Sequence, residues 1–345
     1  GPGAPAPAGC PRAAGRGEEA AQPAPQHLTW AYGYKCSLYH GIVYLPYMRP
    51  RLLDSLRSGF ELQGRDVVVV SYPKCGTTWC QTIVLNLLHG GRPGLVRDPM
   101  RQAPWIEASV CRGKTSVHAL GMASGGLGPR RTRCFKTHAT AALAPWRRAR
   151  PGAKLLLVTR EPRDAAVSHY FHLRSSNAYK FSGDWDEFCG LFLAGRVEGG
   201  DFWAWHEGWA QRVAAAAGAE RCLWVRYEDL VANLRGQVER IASFLGFLDG
   251  GEGSLGPREL DAVAAATEFG AMKGMFDRLH AIMLAKGKKF NPQHLRRGEA
   301  GSWPELMSEE QSEAFLERSR ACAAPVWEGP ELWEHWGGEE GEAEA

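Results

Sequence analysis

The chain has 345 residues, of which 44% are hydrophobic and 23% are charged, a composition typical of globular proteins with a sizeable buried core. Its formal net charge of +3 is too small to indicate binding to nucleic acid or to a membrane surface, so any cationic site must be local. No apolar stretch approaches the roughly 18 residues that a membrane span needs. We therefore expect a soluble protein whose partners are neither nucleic acids nor membranes.

The nine cysteines are scattered, with no C-x-x-C pair and no His/Cys cluster at zinc spacing. This pattern predicts reduced thiols, no metal and a cytoplasmic protein. Residues 1–26 are rich in Pro, Ala and Gly and lack the apolar core of a signal peptide, so they are predicted to form a disordered tail. The acidic residues 337–345 indicate a second solvated tail, and a single domain is expected at 27–336.

The first strong structural signal is the segment VVVVSYPKCGTTWCQTIVLNLL, residues 67–88. Four valines predict a buried strand, a Gly-containing turn follows, and apolar residues at helical spacing predict a helix. The amides and the dipole of the helix N-terminus, together with Lys74, favour an anion in the turn. We therefore predict a P-loop-like strand-loop-helix that holds a phosphate.

Strands and helices alternate along the rest of the chain. Apolar runs at 133–138, 154–160 and 221–230 predict strands, and amphipathic helices follow the last two at 161–173 and 231–248. This alternation favours an α/β fold with a mostly parallel central sheet flanked by helices. The intervening segments are predicted to be irregular, at 90–104, 121–131, 247–257 and 273–300.

Polar residues gather at one end of the predicted sheet. Lys74, Lys136, His138 and Arg160 all fall at the carboxyl ends of strands, where ligands of open α/β sheets bind. A Walker A loop would need its lysine directly after the last glycine, whereas Lys74 precedes Gly76. A nucleotide kinase is therefore the weaker alternative, and competition between ATP and the true donor would separate the two.

Six motifs resemble those of the cytosolic sulfotransferase family and occur in the family's order. They are YPKCGTTW, FKTH, TREPRDAAVSHYFH, VRYEDL, TEFGAM and RRGEAGSW, and the resemblance extends over residues 29–336. It implies a co-substrate, 3′-phosphoadenosine 5′-phosphosulfate (PAPS), and transfer of its sulfuryl group to a hydroxyl or amine. Such transfer asks the protein to hold donor and acceptor in line and to neutralise charge on the leaving oxygens, which requires no metal.

The resemblance also implies roles for individual residues. His138 is the candidate general base, because a neutral imidazole with a pKa near 6.5 can accept the acceptor's proton. Lys136 would stabilise the transferring group, and Lys74 would approach the bridging oxygen as it gains charge. The 5′-phosphate would be held by the turn itself, that is by Lys74, Cys75, Gly76, Thr77 and Thr78.

A second anion site would receive the 3′-phosphate, because a planar guanidinium can bind two phosphate oxygens at once. By resemblance it consists of Arg160, Ser168, Arg296, Arg297 and Gly298. Two further arginines of this region, at 163 and 174, are expected to be solvated. The adenine would lie between Trp79 and Phe269, with Tyr227, Thr267 and Met272 around its edge.

The chain departs from the family pattern at three places. Cys75 replaces a Ser or Thr; its thiol is either reactive, because the helix N-terminus and Lys74 lower its pKa, or buried and inert. Glu268 replaces a small hydroxyl residue, so that adenosine contact is not carried over. Only Glu313 matches the family's dimer motif, so the usual dimer is not carried over either.

The acceptor is the least determined part of the prediction. By resemblance its pocket is lined by segments rich in aromatic residues, namely 39–47, 103–107, 174–185 and the long loop 273–295. They indicate a small hydrophobic phenol, steroid, other alcohol or amine rather than a carbohydrate. A catalytically silent protein that binds PAPS or its product PAP (3′-phosphoadenosine 5′-phosphate) remains the second alternative, because Cys75 and Glu268 are unusual.

Overall fold

The computed structural model describes residues 27–111, 126–215, 221–251, 253–287 and 295–326. The predicted tails at 1–26 and 337–345, and parts of the predicted loops at 121–131 and 273–300, lie outside these residues. The strands are β1 His27–Thr29, β2 Lys35–Tyr39, β3 Ile42–Tyr44, β4 Glu61–Leu62, β5 Val67–Ser71, β6 Cys134–Thr137, β7 Arg148–Ala149, β8 Lys154–Thr159 and β9 Cys222–Arg226.

The α-helices range from single turns to five turns. They are α1 Pro50–Gly59, α2 Thr77–Leu88, α3 Pro99–Gln102, α4 Ile106–Cys111, α5 Pro162–Ser175, α6 Trp185–Leu193, α7 Phe202–Ala215, α8 Tyr227–Ala232, α9 Leu234–Phe244, α10 Pro257–Thr267, α11 Phe269–Ala285 and α12 Glu309–Val326. In the described part of the chain, no helix is long and apolar enough to cross a membrane.

The central sheet has four strands in the order β6-β5-β8-β9, and every pair is parallel. Alternate valines of β5 contribute to two separate apolar cores, with Val68 and Val70 in one and Val67 and Val69 in the other. Successive side chains of a strand point to opposite faces, so both faces of the sheet are covered. The predicted α/β fold with a parallel sheet flanked by helices is confirmed.

The cores on the two faces are built by different helices. Val67 and Val69 pack with apolar residues of α2, α9 and α10, whereas Val68 and Val70 pack with residues of α1, α5, α6 and α7. The strand β5 therefore lies in the middle of the domain, with its carboxyl end leading directly into α2.

Several features differ from the sequence prediction, and one is the single-turn helix α3 within the segment 90–104, which was expected to be irregular. The segment 273–300 was expected to be irregular, but α11 continues to Ala285 because Met272, Phe276 and Leu279 recur at helical spacing and are buried. The apolar run 221–230 is a strand only to Arg226, after which α8 begins. A three-stranded antiparallel sheet, β1-β2-β3, and a two-stranded parallel sheet, β4-β7, were not predicted.

Candidate active site

A cavity of about 1160 Å³ opens beside the carboxyl ends of β5, β6 and β8. Most of the predicted site residues line it, although they come from widely separated parts of the chain: Lys74, Gly76, Thr77, Thr78, Trp79, Lys136, His138, Arg160, Ser168, Tyr227, Phe269, Met272, Arg296, Arg297 and Gly298. The predicted residues Cys75 and Thr267 have side chains that do not line it.

The turn between β5 and α2 places a helix N-terminus on the cavity wall. Gly76 precedes the helix with φ at 97° and offers no side chain to cap it, and Thr77 and Thr78 line the cavity. A Cβ at Gly76 would lie 2.8 Å from the Tyr227 ring, so only glycine fits here. Lys74 also has a left-handed backbone, with φ at 71°, which is uncommon for a residue with a side chain. The turn is thus built to present amide and hydroxyl donors to an anion.

Four cationic side chains surround the same part of the cavity. The pKa of Lys74 is lowered to about 8, first by burial and then by repulsion from Arg160, Lys136 and Arg296. Lys136 lies over the ring of Trp105, with 5.0 Å between its Nζ and the ring centroid. Positive groups that raise one another's free energy in this way indicate a site whose ligand carries several negative charges.

Arg160 is held in place on several sides but has one unused donor. Its Nη1 donates to the Lys74 carbonyl at 3.4 Å, its Nη2 donates to the Glu299 carbonyl at 3.0 Å, and it forms an ion pair with Asp164 at 3.7 Å. The guanidinium lies 4.0 Å from the centroid of the Tyr227 ring. Its buried Nε has no hydrogen-bond partner, as expected for a donor that bonds to an oxygen of a ligand.

The arginine doublet is divided between two environments. Arg296 is half-buried, lies 4.8 Å from the centroid of the Phe171 ring and donates to the Ser302 hydroxyl at 3.1 Å. Arg297 is exposed and forms an ion pair with Glu305. Of these two lining residues, Arg296 is the more buried.

One arginine expected to be solvated is not. Arg163 stacks on Trp303, with 4.0 Å between its guanidinium carbon and the ring centroid, and it forms an ion pair with Glu161 at 2.7 Å. That expectation was wrong because Arg163 packs the chain after residue 300 against α5. Arg174 is exposed, as predicted.

Aromatic rings also line the cavity. Trp79 meets Tyr227 edge-on with 5.4 Å between centroids, and its Nε1 donates to the Thr267 carbonyl at 2.8 Å. The Thr267 hydroxyl itself bonds within α10. At Gly298, where φ is 76°, a Cβ would lie 2.2 Å from the Phe269 ring, so the chain can pass beneath this ring only as glycine.

His138 stands directly after β6, with its tautomer fixed. Nδ1 donates to the Ser71 carbonyl at 2.8 Å, so the neutral ring carries its proton on Nδ1 and its free lone pair on Nε2. Burial, together with the charge of Lys136, lowers the pKa of His138 well below its usual value. At neutral pH the side chain is therefore an uncharged proton acceptor.

Two buried acidic residues of this region were not identified from the sequence. Glu107 accepts from the Thr137 hydroxyl at 2.8 Å and from the His138 amide at 3.3 Å, and so fixes the end of β6. It lies in the segment 103–107 that was assigned only to the acceptor pocket. Glu198 lines the cavity and accepts from the Tyr179 hydroxyl. Nothing in the local sequence of Glu198 marked it as part of the site.

The sequence left two alternatives for Cys75, a reactive thiol or a buried and inert one, and the structure shows the buried one. Its side chain is fully buried in the core that contains Val68 and Val70, and burial raises its pKa. The thiol points to the Pro73 carbonyl, 3.9 Å away, and not into the cavity. A lowered pKa, expected from the helix N-terminus and Lys74, does not occur because desolvation outweighs both.

We predict that Cys75 resists thiol reagents in the native protein, because the reactive thiolate is both inaccessible and disfavoured by burial. After brief treatment with iodoacetamide, mass spectrometry should find Cys222, which is only half-buried, modified while Cys75 is still unmodified. Cys75→Ser should lose activity in the reagent at the wild-type rate. Slower inactivation of this variant, or nucleotide-protected alkylation of Cys75, would contradict the prediction.

Comparison with known proteins assigns the family. The model of the sulfotransferase domain family matches residues 64–324, which contain the whole of the cavity wall from the β5 turn to Glu299. The chain belongs to the sulfotransferase family. The domain is similar to sulfotransferase 2B1 of Mus musculus, with 30% identity over 292 residues that cover 84% of this chain and 80% of the relative. It is also similar to the 3-alpha-hydroxysteroid sulfotransferase of Cavia porcellus, with 30% identity over 77% of this chain and 86% of that protein.

Solved structures agree with this sulfotransferase fold. Mouse sulfotransferase SULT7A1 complexed with PAP has a TM-score of 0.62 and 21% identity, covering 87% of this chain and 96% of that one. Retinol dehydratase in complex with androsterone and PAP has a TM-score of 0.65 and 18% identity, covering 88% and 90% of the two chains. At these identities the structures establish the fold, and the family match establishes that the protein is a sulfotransferase.

Proposed function

We propose that this sulfotransferase transfers the sulfuryl group of PAPS to a hydroxyl or amine of a small hydrophobic acceptor, with His138 as the general base. The observation that carries the proposal is the single cavity in which an anion-binding helix N-terminus, a cluster of cations and a neutral imidazole meet. Each of these features supplies a different part of the reaction.

The residues present fit a bisphosphorylated donor. Lys74, the hydroxyls of Thr77 and Thr78 and the α2 amides would bind the 5′-phosphate, where the helix dipole favours negative charge. Arg160, with its unused buried Nε, and Arg296 would bind the 3′-phosphate. Trp79 and Phe269 would hold the adenine between them.

Sulfuryl transfer then needs one proton to move and one bond to be exchanged. The acceptor oxygen or nitrogen attacks sulfur as its proton passes to Nε2 of His138, and the bond from sulfur to the bridging oxygen breaks. The electron pair of that bond stays on the 5′-phosphate, where Lys74 neutralises it. Lys136 stabilises the oxygens of the group in transit, and the Ser71 carbonyl holds His138 in the tautomer that can accept.

The remaining cavity wall supports a small, largely apolar acceptor. It is lined by Leu45, Tyr47, Trp105, Ala108 and Met283, among other residues. Among the relatives, one is named a 3-alpha-hydroxysteroid sulfotransferase, and retinol dehydratase has been solved with androsterone and with retinol. A phenol, steroid or other lipophilic alcohol or amine suits both observations.

Two reasons for considering a catalytically silent binding protein lose force in this geometry. The Cys75 side chain lies in the core and does not line the cavity, so the lack of a hydroxyl there removes no donor from the cavity wall. The loop backbone still provides its amides. Glu268 is exposed and does not line the cavity.

The decisive experiment is turnover with radiolabelled PAPS over a panel of phenols, steroids and amines, with excess ATP as competitor. Labelled product that ATP leaves unaffected supports the proposal, and nucleotide binding without transfer to any acceptor contradicts it.

We predict that Arg296→Ala weakens binding of PAP by about 1.5–3 kcal/mol, the usual contribution of hydrogen bonds to a charged group. Binding of adenosine 5′-phosphosulfate, which lacks the 3′-phosphate, should weaken much less. Isothermal titration calorimetry with both ligands measures the difference. Equal losses for the two ligands would show that Arg296 does not bind the 3′-phosphate.

A further inference from the structure

Exposed arginines gather at the amino edge of the central sheet, on the side of the domain opposite the cavity. They lie in the segments that lead into β5, β6 and β8, and they are Arg65, Arg131, Arg147, Arg148 and Arg150. Among the described residues, Glu61 pairs with Arg148 and Arg150, and no carboxylate forms an ion pair with the other three. The described part of the chain therefore leaves several positive charges here without a partner of opposite sign.

Contacts between the loops join these arginines into one surface, which we call the basic face. The Arg65 guanidinium donates to the Arg130 carbonyl at 3.1 Å, so the segment before β5 reaches the segment before β6. A Cβ at Gly64 would lie 2.6 Å from the Pro151 carbonyl oxygen, so the same segment lies directly against the turn before β8. The five exposed guanidinium groups are thus neighbours in space.

The helix α12 packs alongside α7, and the two helices run in the same direction. Near the start of α7, Nε1 of Trp203 donates to the Ser319 hydroxyl at 2.9 Å. Further along both helices, Cys322 contacts Glu207, with 2.8 Å between Sγ and Oε1. The direction in which the chain leaves α12 is therefore the direction of α7.

The helix α7 leads to the basic face. It ends at Ala215, and β9 begins at the amino edge of the sheet with Cys222. On the way, the Trp209 ring packs on Trp146, the neighbour of Arg147, with 6.1 Å between ring centroids. The chain thus leaves α12 heading toward the edge that carries the exposed arginines.

The segment that follows α12 has the complementary charge. Residues 327–345 contain seven glutamates and neither lysine nor arginine. Residues 327–339, which lead to the four most distal glutamates, can span up to about 40 Å when extended. The 14 residues of α7 cover only about 21 Å from one edge of the sheet to the other. The segment is therefore long enough to reach the basic face.

We propose that the acidic segment 327–345 docks on the basic face of its own chain and neutralises it. Each exposed ion pair is weak alone, but the tether keeps the segment at a high effective concentration, so that several pairs form together. Because these pairs are exposed to solvent, salt screens them and releases the segment. The basic face is in this way kept from binding other polyanions.

Proteolysis of the full chain tests the docking directly. Endoproteinase Glu-C should cleave the segment slowly at low salt, and at least about fivefold faster once the face is neutralised, because cleavage follows the undocked population. The face variant combines Arg131→Gln, Arg147→Gln and Arg148→Gln. The control variant neutralises three exposed arginines close to the cavity-lining residues Tyr47 and Leu279, and it should keep the wild-type rate: Arg49→Gln, Arg51→Gln and Arg278→Gln. At about 0.5 M NaCl all three proteins should be cleaved equally fast.

A labelled peptide of residues 327–345 measures whether the basic face is occupied. It should bind at least about tenfold more tightly to a full-length variant whose seven segment glutamates are glutamines than to the wild type, because the tethered segment competes in the wild type. Adding the face substitutions should abolish this binding, and adding the control substitutions should not. Equal cleavage of the wild type and the face variant at low salt would overturn the inference. So would equal effects of the face and control substitutions, or a face that binds phosphatidylserine vesicles but not the peptide.

Discussion

His138→Ala is expected to lower kcat/KM for sulfuryl transfer by roughly 10²- to 10⁴-fold, the range supplied by a positioned general base. The Kd of PAP should stay nearly unchanged, because the imidazole bonds to the Ser71 carbonyl and is not among the groups assigned to the nucleotide. Single-turnover kinetics with radiolabelled PAPS, together with calorimetry, measure the two quantities. His89→Ala is a matched control, since His89 bonds to Gln102 away from the cavity and its loss should leave turnover unaffected.

The pH profile of the wild type tests the same assignment. A base works only when deprotonated, so kcat/KM should fall as the pH is lowered through the pKa of His138. That pKa is depressed by burial and by Lys136, so the acidic limb of the profile should lie well below the usual histidine value. Wild-type activity in His138→Ala, or an acidic limb that persists in the residual activity of this variant, would remove His138 from the mechanism.

Lys74→Met should lower kcat/KM by roughly 10²- to 10³-fold, the usual effect of removing one group that stabilises charge on a leaving oxygen. Methionine keeps the length and most of the apolar contacts of the lysine side chain, so the change removes mainly charge. Lys273→Met is the matched control, because this lysine is about half exposed and pairs with Asp277 on the surface of α11. Its turnover should equal that of the wild type.

Nucleotide binding gives Lys74 a second, independent signature. Its pKa is about 8 in the free protein because burial and then three neighbouring cations oppose its charge, and a bound polyanion should raise that pKa. Above pH 8 the free protein must therefore take up a proton on binding PAP, and the affinity should fall as the pH rises through this range. Calorimetry in buffers of different ionisation enthalpy measures the uptake. Equal proton uptake in Lys74→Met and in the wild type would assign it to another group.

The strand-loop-helix at 67–88 could be predicted almost completely from the sequence. A run of valines, a glycine turn and an apolar helix are local patterns, and each is formed by residues that are neighbours in the chain. The order of strands and helices predicted the parallel sheet for the same reason. Once the sheet is parallel, its carboxyl ends bring Lys74, Lys136, His138 and Arg160 together, as the cavity lining shows.

Local pattern was a poorer guide where glycines interrupt it or where strands are very short. The helix α11 contains Gly270 and Gly274, which obscured the spacing of its buried residues. The strands of the antiparallel sheet are only three to five residues long, so their pairing depends on partners elsewhere in the chain. That sheet is nevertheless what fixes Glu198 at the cavity.

The sequence by itself determined the fold class, the anion-binding turn and the identity of the residues that gather at the strand ends. Only the tertiary structure decided the chemical state of those residues. Cys75 is inert because the core surrounds it, and the Lys74 pKa is lowered by burial and then by cations contributed by other segments. The tautomer of His138 is set by the Ser71 carbonyl, 67 positions away in the chain. Desolvation, charge and hydrogen bonding depend on distances in space, and the order of residues along the chain specifies these only after folding.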